Sequence, residues 1–160
     1  MGNAAHKDSL KQSKEMNLSP HFTLAEAIHS ETATRKGIDN MPPPEVLANM
    51  GEAADGMEEV RAFLDAPIYV SSWYRSPKLN AAIGGSPTGA HPEGWAIDFM
   101  APAFGTPLEI CKDILNSDIK FDQLIYEGTW VHISFAPTLR QMVLSATFLG
   151  GRVTYSQGIA

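Results

Sequence analysis

Cysteine is almost absent from this 160-residue sequence, which contains Cys111 alone. A lone cysteine cannot form a disulfide within the chain, so we expect a fold without cross-links that is made in a reducing compartment. The shortage also excludes zinc sites built from pairs of cysteines. Cys111 falls in a predicted helix at 108–115 beside Ile110, which indicates a buried apolar side chain rather than a nucleophile.

Positive charge is also scarce. The chain has 12 Lys and Arg against 18 Asp and Glu, which gives a net charge of −6 at pH 7. Without a basic patch or a run of Lys and Arg, we expect no nucleic-acid partner. No apolar run approaches the roughly 20 residues that a membrane helix needs, so we expect no membrane insertion. The first ten residues lack the apolar segment of a secretory signal, which predicts synthesis in the cytoplasm without a signal peptide.

The rest of the composition is typical of one globular domain. Hydrophobic residues make up 44% of the chain and charged residues 19%, and a chain of this length can bury a single core. Helical patterns precede strand patterns, which indicates an α+β fold with N-terminal helices packed on a mostly antiparallel sheet. Residues 1–18 are polar and aperiodic, so we predict a flexible N-terminal arm and a domain over residues 19–160.

Capping signals and periodicity place the elements along the chain. Thr23-Leu-Ala-Glu26 and Thr106-Pro-Leu-Glu109 have the capping-box pattern that opens helices, whereas residues 31–40 are interpreted as a loop. Further helices are predicted at about 45–64 and 77–83. Strands are predicted at 67–73, 95–100, 121–126 and 130–135, followed by a hairpin of 142–148 and 152–155.

Two of the five histidines occupy positions that suggest a metal site. His91 ends a Gly-rich loop, and His132 lies in a predicted strand. Because side chains alternate along a strand, Asp98 lies on the face opposite Ile97 and Phe99, away from the core. Two neutral imidazoles and one carboxylate suit a catalytic zinc ion with one position left for water. The alternative for each residue is a solvated surface histidine, or an aspartate that caps a turn or pairs with arginine.

Three motifs in the chain resemble one known family. They are Ser72-Trp-Tyr-Arg75-Ser-Pro, His91-x-x-Gly94-x-Ala96-x-Asp98 and Trp130-Val-His132. Together they resemble the zinc D-Ala-D-Ala carboxypeptidase family of peptidoglycan peptidases, whose zinc site is shared with the Hedgehog signalling domain. The resemblance covers roughly residues 18–135. Segments 18–26 and 121–125 look like the branch that is common in phage and prophage genomes.

The resemblance implies a zinc ion held by His91, Asp98 and His132. It also matches Arg75 to the family's arginine, which binds the substrate carboxylate or polarises its carbonyl. A fixed guanidinium can do either, through paired hydrogen bonds or by stabilising charge that develops on an oxygen. The implied substrate is a peptidoglycan stem peptide, cut at a bond involving a D-amino acid by a carboxypeptidase or an endopeptidase.

Residues next to these motifs are candidate substrate contacts. Ser72, Trp73 and Tyr74 precede the matched arginine, and Trp130 precedes the last matched histidine. They are predicted to line the substrate groove. For each of the three aromatic residues, a role in packing the core is an equally good interpretation.

Two positions depart from the family pattern. Gly89 stands where the family usually has serine, two residues before the first zinc ligand, although Ser86 or Thr88 of the same loop could supply the missing hydrogen bond. Thr129 stands where relatives often have an acidic residue, three positions before the last ligand.

The general base that the resemblance requires must therefore be another carboxylate. Glu127 lies five positions before His132, and a tight turn can return it to the metal centre, so it is our candidate. Asp122 is the second candidate for the general base. Glu93 lies between two of the matched ligands, but we expect it to point off its loop into solvent.

These features predict a monomeric zinc metallopeptidase of the cell wall. A compact domain without a wall-binding module favours a phage or prophage endolysin, which would reach the wall through a membrane pore or from a virion. The alternative, from a different class, is a catalytically inactive zinc module that binds wall peptide or a protein partner. The threonine at position 129 is the feature that favours this alternative.

Overall fold

A computed structural model describes residues 16–159 of the chain. The described elements are, in order, β1 (Asn17–Ser19), β2 (Phe22–Thr23), α1 (Leu24–Ile28), α2 (Glu31–Lys36), α3 (Pro44–Leu64), β3 (Tyr69–Ser72), α4 (Pro77–Ala82), β4 (Ala96–Met100), α5 (Pro107–Leu115), β5 (Gln123–Tyr126), β6 (Val131–Ser134), β7 (Met142–Leu149) and β8 (Arg152–Gln157).

Both predicted capping boxes are present. The Thr23 hydroxyl accepts from the Glu26 backbone N–H at 3.2 Å, and the Glu26 carboxylate accepts from the Thr23 N–H at 3.0 Å. Thr106 and Glu109 make the same pair of bonds at the start of α5. Because each box satisfies N–H groups that a helix start leaves open, these two helices begin where the sequence predicted.

The prediction of a loop over residues 31–40 is wrong in part, because α2 occupies residues 31–36. The Ser30 hydroxyl caps it by accepting from the Ala33 N–H at 3.2 Å, and Gly37 ends it with φ of +63°. Ala33 is its one buried residue. A helix this short with a single core contact has no apolar periodicity for a sequence pattern to detect.

The predicted arm lies largely outside the described residues, which begin at position 16. Within them, Asn17 and Leu18 belong to β1, which pairs with β2 through Asn17 and Thr23. The end of the predicted arm is therefore part of a two-stranded sheet.

The main sheet has six strands in the order β3-β4-β6-β5-β7-β8. Neighbouring strands are antiparallel, except for the parallel pair β5 and β7. This arrangement confirms the predicted α+β class with a mostly antiparallel sheet. The parallel pair arises because the chain leaves β6 and crosses beyond β5 before it enters β7.

Asp122 fixes that crossover. Its carboxylate accepts two bonds at 2.9 Å from the Arg140 guanidinium, one at 3.1 Å from the Arg140 N–H and one at 2.7 Å from the Thr138 hydroxyl. The arginine bonds hold the pKa of Asp122 well below its usual range. Both carboxylate oxygens are thus committed to holding the loop.

One hydrophobic cluster joins the helices to the sheet. Alternate residues of β4 and β6 enter it, with Ile97, Phe99, Val131 and Ile133 at 0% exposure. The helices contribute many of the other buried side chains, among them Met50, Ala53, Met57 and Val60 of α3 and Ile110, Cys111 and Ile114 of α5. Cys111 is buried as predicted, and burial raises the pKa of its thiol to about 12.

No helix within residues 16–159 combines the length and the hydropathy needed to cross a bilayer. Even α3, with 21 residues, carries several Glu and Asp side chains among its apolar ones.

Candidate active site

The register of the sheet brings Asp98 and His132 side by side. Asp98 of β4 pairs directly with His132 of β6, which pairs in turn with Ile125 of β5. Directly opposed residues on neighbouring antiparallel strands point to the same face. The His132 Nδ1 atom lies 2.9 Å from the Asp98 Oδ1 atom. The alternation predicted from the sequence is therefore what places these two side chains together, opposite the core.

His91 reaches the same point from the loop before β4. Its Nδ1 donates to the backbone carbonyl of Trp73 at 2.7 Å, which leaves Nε2 free as a lone-pair donor 3.3 Å from the Asp98 Oδ1. The Arg75 N–H bonds to the His91 carbonyl at 3.4 Å and ties the loop to the end of β3. Burial lowers the pKa of His91, which favours the neutral imidazole that binds metals.

Within the described residues, His91, Asp98 and His132 are the one group of His, Cys, Asp and Glu side chains that could hold a metal ion. Their ligand atoms all lie within 4.8 Å of one another. Burial opposes the charge of Asp98, but the two imidazoles outweigh it and keep the pKa of Asp98 far below its usual range. Two imidazole nitrogens, one of them oriented by a backbone carbonyl, and one ionised carboxylate are a donor set that fits zinc.

Arg75 contacts the other oxygen of Asp98. Its Nη2 lies 3.3 Å from the Asp98 Oδ2, its Nε donates to the Ser72 hydroxyl at 3.0 Å, and its Nη1 lies 3.5 Å from the Asn80 Oδ1. Burial lowers the pKa of Arg75 and the Asp98 charge raises it, but an arginine stays protonated in any case. Arg75 therefore orients a candidate metal ligand, a role that sequence reasoning did not assign to it.

Asn80 is a buried residue that sequence reasoning missed. It is 3% exposed, and its amide donates to the Ser86 carbonyl at 2.9 Å while its oxygen faces Arg75. Nothing in the sequence around Asn80 indicated a functional role. Its contact with Arg75 forms only because the loop after α4 folds back over the helix.

A cleft of about 470 Å³ opens over these side chains. The three candidate ligands, Arg75 and Glu127 all line it. Its other walls come from the loop before β4 and from β5–β8, and include Asn80, Gly85, Ser86, Gly89, Gln123, Ile125, Trp130, Phe148, Val153 and Tyr155.

Glu127 lies at the end of β5, on the face that carries His132. Its N–H donates to the Trp130 carbonyl at 3.1 Å, across a tight turn in which Gly128 has φ of +83°. The residue is 8% exposed. Burial raises the pKa of Glu127, Asp98 raises it further, and the nearby His132 and Tyr155 lower it. A carboxylate with a raised pKa beside a metal site has the properties of a general base.

The two other carboxylates considered from the sequence lie elsewhere. Asp122, the reserve candidate, is committed to Arg140 and Thr138 and is not among the residues that line the cleft. Glu93 is exposed, as predicted. Of the three, Glu127 is the one placed in the cleft.

Two of the predicted substrate contacts are packing residues instead. Trp73 is 1% exposed, its ring meets Phe22 edge-on at 6.0 Å, and its indole N–H donates to the Gly94 carbonyl at 2.9 Å. Tyr74 is 4% exposed and also belongs to the core. Both side chains follow the end of β3 and point into the core there. The structure therefore does not support the prediction that Trp73 and Tyr74 line the substrate groove.

The two remaining predicted substrate contacts, Trp130 and Ser72, differ in their relation to the cleft. Trp130 lines the cleft. Ser72 does not line it, but holds the Nε of Arg75 and so acts on the cleft through that side chain.

The loop residues near Gly89 do not replace the family's serine in the described structure. The hydroxyls of Ser86 and Thr88 are exposed and lie 3.2 Å from each other. The backbone carbonyl of Trp73 is what orients His91. This carbonyl supplies an outer hydrogen bond that a serine would otherwise be expected to provide.

Comparison with protein families agrees with this geometry. A family model described as Peptidase M15 matches residues 20–134, a span that holds the three candidate ligands, Arg75 and Glu127. The chain belongs to the peptidase M15 family. The match confirms the resemblance to the zinc D-Ala-D-Ala carboxypeptidases that the three motifs indicated. Comparison with curated proteins gave no match.

The M15 match ends before the β7–β8 hairpin, yet that hairpin forms one wall of the cleft. Phe148, Val153 and Tyr155 line it, at 51%, 45% and 54% exposure. The sequence predicted the hairpin but gave no sign of its role, because its place beside the site depends on the long-range pairing of β7 with β5.

Gly94 links two of the candidate ligands of this M15 peptidase, and we expect Gly94→Ala to destabilise the fold. Gly94 has φ of +83°, and an added Cβ would meet the Met50 side chain at 2.7 Å and Val46 at 3.1 Å. Backbone strain and crowding together should lower the free energy of unfolding by about 2 kcal/mol or more. Urea unfolding curves measure the loss.

Gly51→Ala is the matched control. Gly51 lies in α3, and an added Cβ would meet nothing within 4 Å. Helix propensity then predicts a gain of up to about 1 kcal/mol. If the urea midpoint of Gly94→Ala equals that of the wild type, the close packing of Gly94 against Met50 and Val46 does not constrain the loop.

Proposed function

We propose that this M15 peptidase is a zinc enzyme that hydrolyses peptidoglycan stem peptides at a bond involving a D-amino acid. Family membership supports the peptidase activity. The motifs around Arg75, His91 and His132, which resemble the zinc D-Ala-D-Ala carboxypeptidases, support the choice of substrate. Release through a membrane pore or from a virion would bring the enzyme to the wall.

One observation carries the proposal. Three ligand atoms within 4.8 Å of one another share a cleft with a buried carboxylate and a guanidinium. A metal site with a structural role needs neither a free acid nor a fixed cation beside it. A peptide hydrolase needs both, because a proton must move and negative charge develops on the carbonyl oxygen.

Zinc held by His91, Asp98 and His132 would polarise the scissile carbonyl and lower the pKa of a water ligand. In our proposal the Glu127 carboxylate accepts a proton from the attacking water. A bond forms between the water oxygen and the carbonyl carbon, the C–N bond breaks, and Glu127 returns the proton to the leaving amine. The raised pKa of Glu127 suits both transfers, since the same group must take up and release a proton.

Arg75 is proposed to bind the substrate. Its contacts to Ser72, Asn80 and Asp98 involve three of its nitrogens and fix the plane of the guanidinium. A guanidinium has five N–H donors, so donors remain for a carboxylate or a carbonyl oxygen of the peptide. Trp130, on the same cleft, is the aromatic contact that we retain for the substrate.

Metal removal tests the proposal. Purified peptidoglycan is incubated with the protein as prepared, with the protein after chelation, and with chelated protein to which zinc is returned. We expect cleavage in the first and third samples and none in the second. Mass spectrometry of the products names the bond: released D-alanine identifies a carboxypeptidase, and a new amine end within a peptide identifies an endopeptidase.

The inactive zinc module is the alternative that the same experiment separates. Thr129, at the position of the acid in relatives, favours it, whereas the place of Glu127 in the cleft favours an enzyme. Protein that contains zinc in stoichiometric amount and produces no new ends would refute hydrolysis and support the module. Protein that cleaves equally well after complete zinc removal would refute the metal's role.

A further inference from the structure

Four residues form a row across the sheet next to the metal ligands. Because Tyr126 pairs with Val131 and with Ser145, the next residue, Glu127, lies between Trp130 and Ala146. Ala146 pairs directly with Tyr155 of β8. The row therefore reads Trp130, Glu127, Ala146, Tyr155, and it lies on the cleft face.

The small side chain of Ala146 leaves the space between Glu127 and Tyr155 open. Strands are about 4.8 Å apart, so Glu127 and Tyr155 are two strands or roughly 10 Å apart at the backbone. A tyrosine can cover much of that distance only if nothing stands above the strand between. Ala146 has just a methyl group there, so the Tyr155 side chain can extend over it toward Glu127, and both side chains line the same cleft.

We propose that Tyr155 is a positioning residue, whose hydroxyl holds one oxygen of the Glu127 carboxylate and so aims the other at the metal centre. This inference rests on the proposed function, in which Glu127 moves the proton. A carboxylate at the end of a strand can rotate about its side-chain bonds, and a general base works only in a narrow range of orientations. A donor on one oxygen removes that freedom.

The rest of the hairpin wall supports this role. Phe148 pairs with Val153 in the neighbouring row on the same face, and the Phe148 ring lies 3.4 Å from where a Cβ on Gly128 would stand. The Phe148 ring therefore lies against the turn that follows Glu127. The hairpin thus approaches Glu127 from its side, beyond the residues that the family model matches.

Tyr155→Phe tests the proposal, since it removes only the hydroxyl of a half-exposed side chain. We expect kcat on a defined stem peptide to fall about ten-fold or more, as for loss of a hydrogen bond to a charged group. KM should change less than about two-fold, because in this proposal the hydroxyl acts on Glu127 and not on the substrate. Tyr69→Phe is the matched control, since Tyr69 is 59% exposed on the opposite edge strand, and it should leave both constants unchanged.

A double variant shows whether Tyr155 acts through Glu127. In a Glu127→Gln background, Tyr155→Phe should cost less than about two-fold in residual kcat, because the proton acceptor is already gone. A full ten-fold loss in that background overturns the proposal, as does a Tyr155→Phe enzyme with raised KM and unchanged kcat. Wild-type protein without hydrolytic activity would instead refute the proposed function.

Filling the gap in the row is a second, independent test. Ala146→Leu should separate Tyr155 from Glu127 and lower kcat about as much as Tyr155→Phe does. Thr147→Leu makes a similar change one residue later, where the side chain points to the other face, and should leave kcat unchanged. Melting temperatures and zinc content are compared for all variants, and an Ala146→Leu enzyme that folds and keeps wild-type kcat contradicts the proposal.

Discussion

Glu127→Gln is expected to lower kcat for stem-peptide hydrolysis by about 10³-fold while the protein keeps its zinc. Glutamine has nearly the shape of glutamate, and its amide oxygen can still accept a bond from Tyr155. It cannot accept a proton at neutral pH. Zinc remains because the ligand group consists of His91, Asp98 and His132, without Glu127. Single-turnover product analysis and metal content by mass spectrometry measure the two effects.

Glu93→Gln is the matched control for that variant. It makes the same chemical change at an exposed carboxylate between two of the candidate metal ligands, outside the cleft lining. We expect wild-type kcat. Equal losses of kcat in the two variants would mean that removing any negative charge near the metal lowers activity. Full activity of Glu127→Gln would show that Glu127 does not transfer the proton.

His132→Ala should weaken zinc binding by more than about 100-fold and eliminate hydrolysis with it. Loss of an outer hydrogen bond to a ligand already costs about 10–100-fold in affinity, and loss of a ligand costs more. The variant also deprives Asp98 of the imidazole 2.9 Å from its Oδ1. Competition with a chromogenic chelator gives the affinity of each protein for zinc.

His29→Ala serves as its control, because His29 is an exposed histidine at the end of α1. It should keep both affinity and activity. If His132→Ala binds zinc as tightly as the wild type does, the ion is held elsewhere and the site proposed here is wrong.

The shared face of Asp98 and His132 could be predicted from the sequence because strand alternation is a strong constraint. A residue on the core face of β4 cannot also face the cleft, so the apolar side chains of Ile97 and Phe99 determine the direction of Asp98 by pattern alone. The same reasoning places His132. The third candidate ligand, His91, lies in a loop without periodicity, so grouping it with the other two depends mainly on the resemblance.

Contacts that depend on distant pairings could not be predicted. Arg75 meets Asp98 across 23 positions, and Tyr155 shares a row of the sheet with Glu127 through the parallel pairing of β5 with β7. Neither pairing has a local signal. Trp73 was ambiguous for a different reason: an aromatic residue at a strand end suits a groove or a core, and only the packed position of Phe22 decides between them.

In the proposed zinc site, Trp73 would couple the interior of the molecule to the affinity for the ion. Its indole is packed among core side chains, while its main-chain oxygen sets the direction of the first imidazole. A substitution at Phe22, which contacts the indole far from the cleft surface, should therefore shift that oxygen and retune how tightly the metal is held. Evolution could adjust metal retention in this protein without altering any residue that the substrate meets.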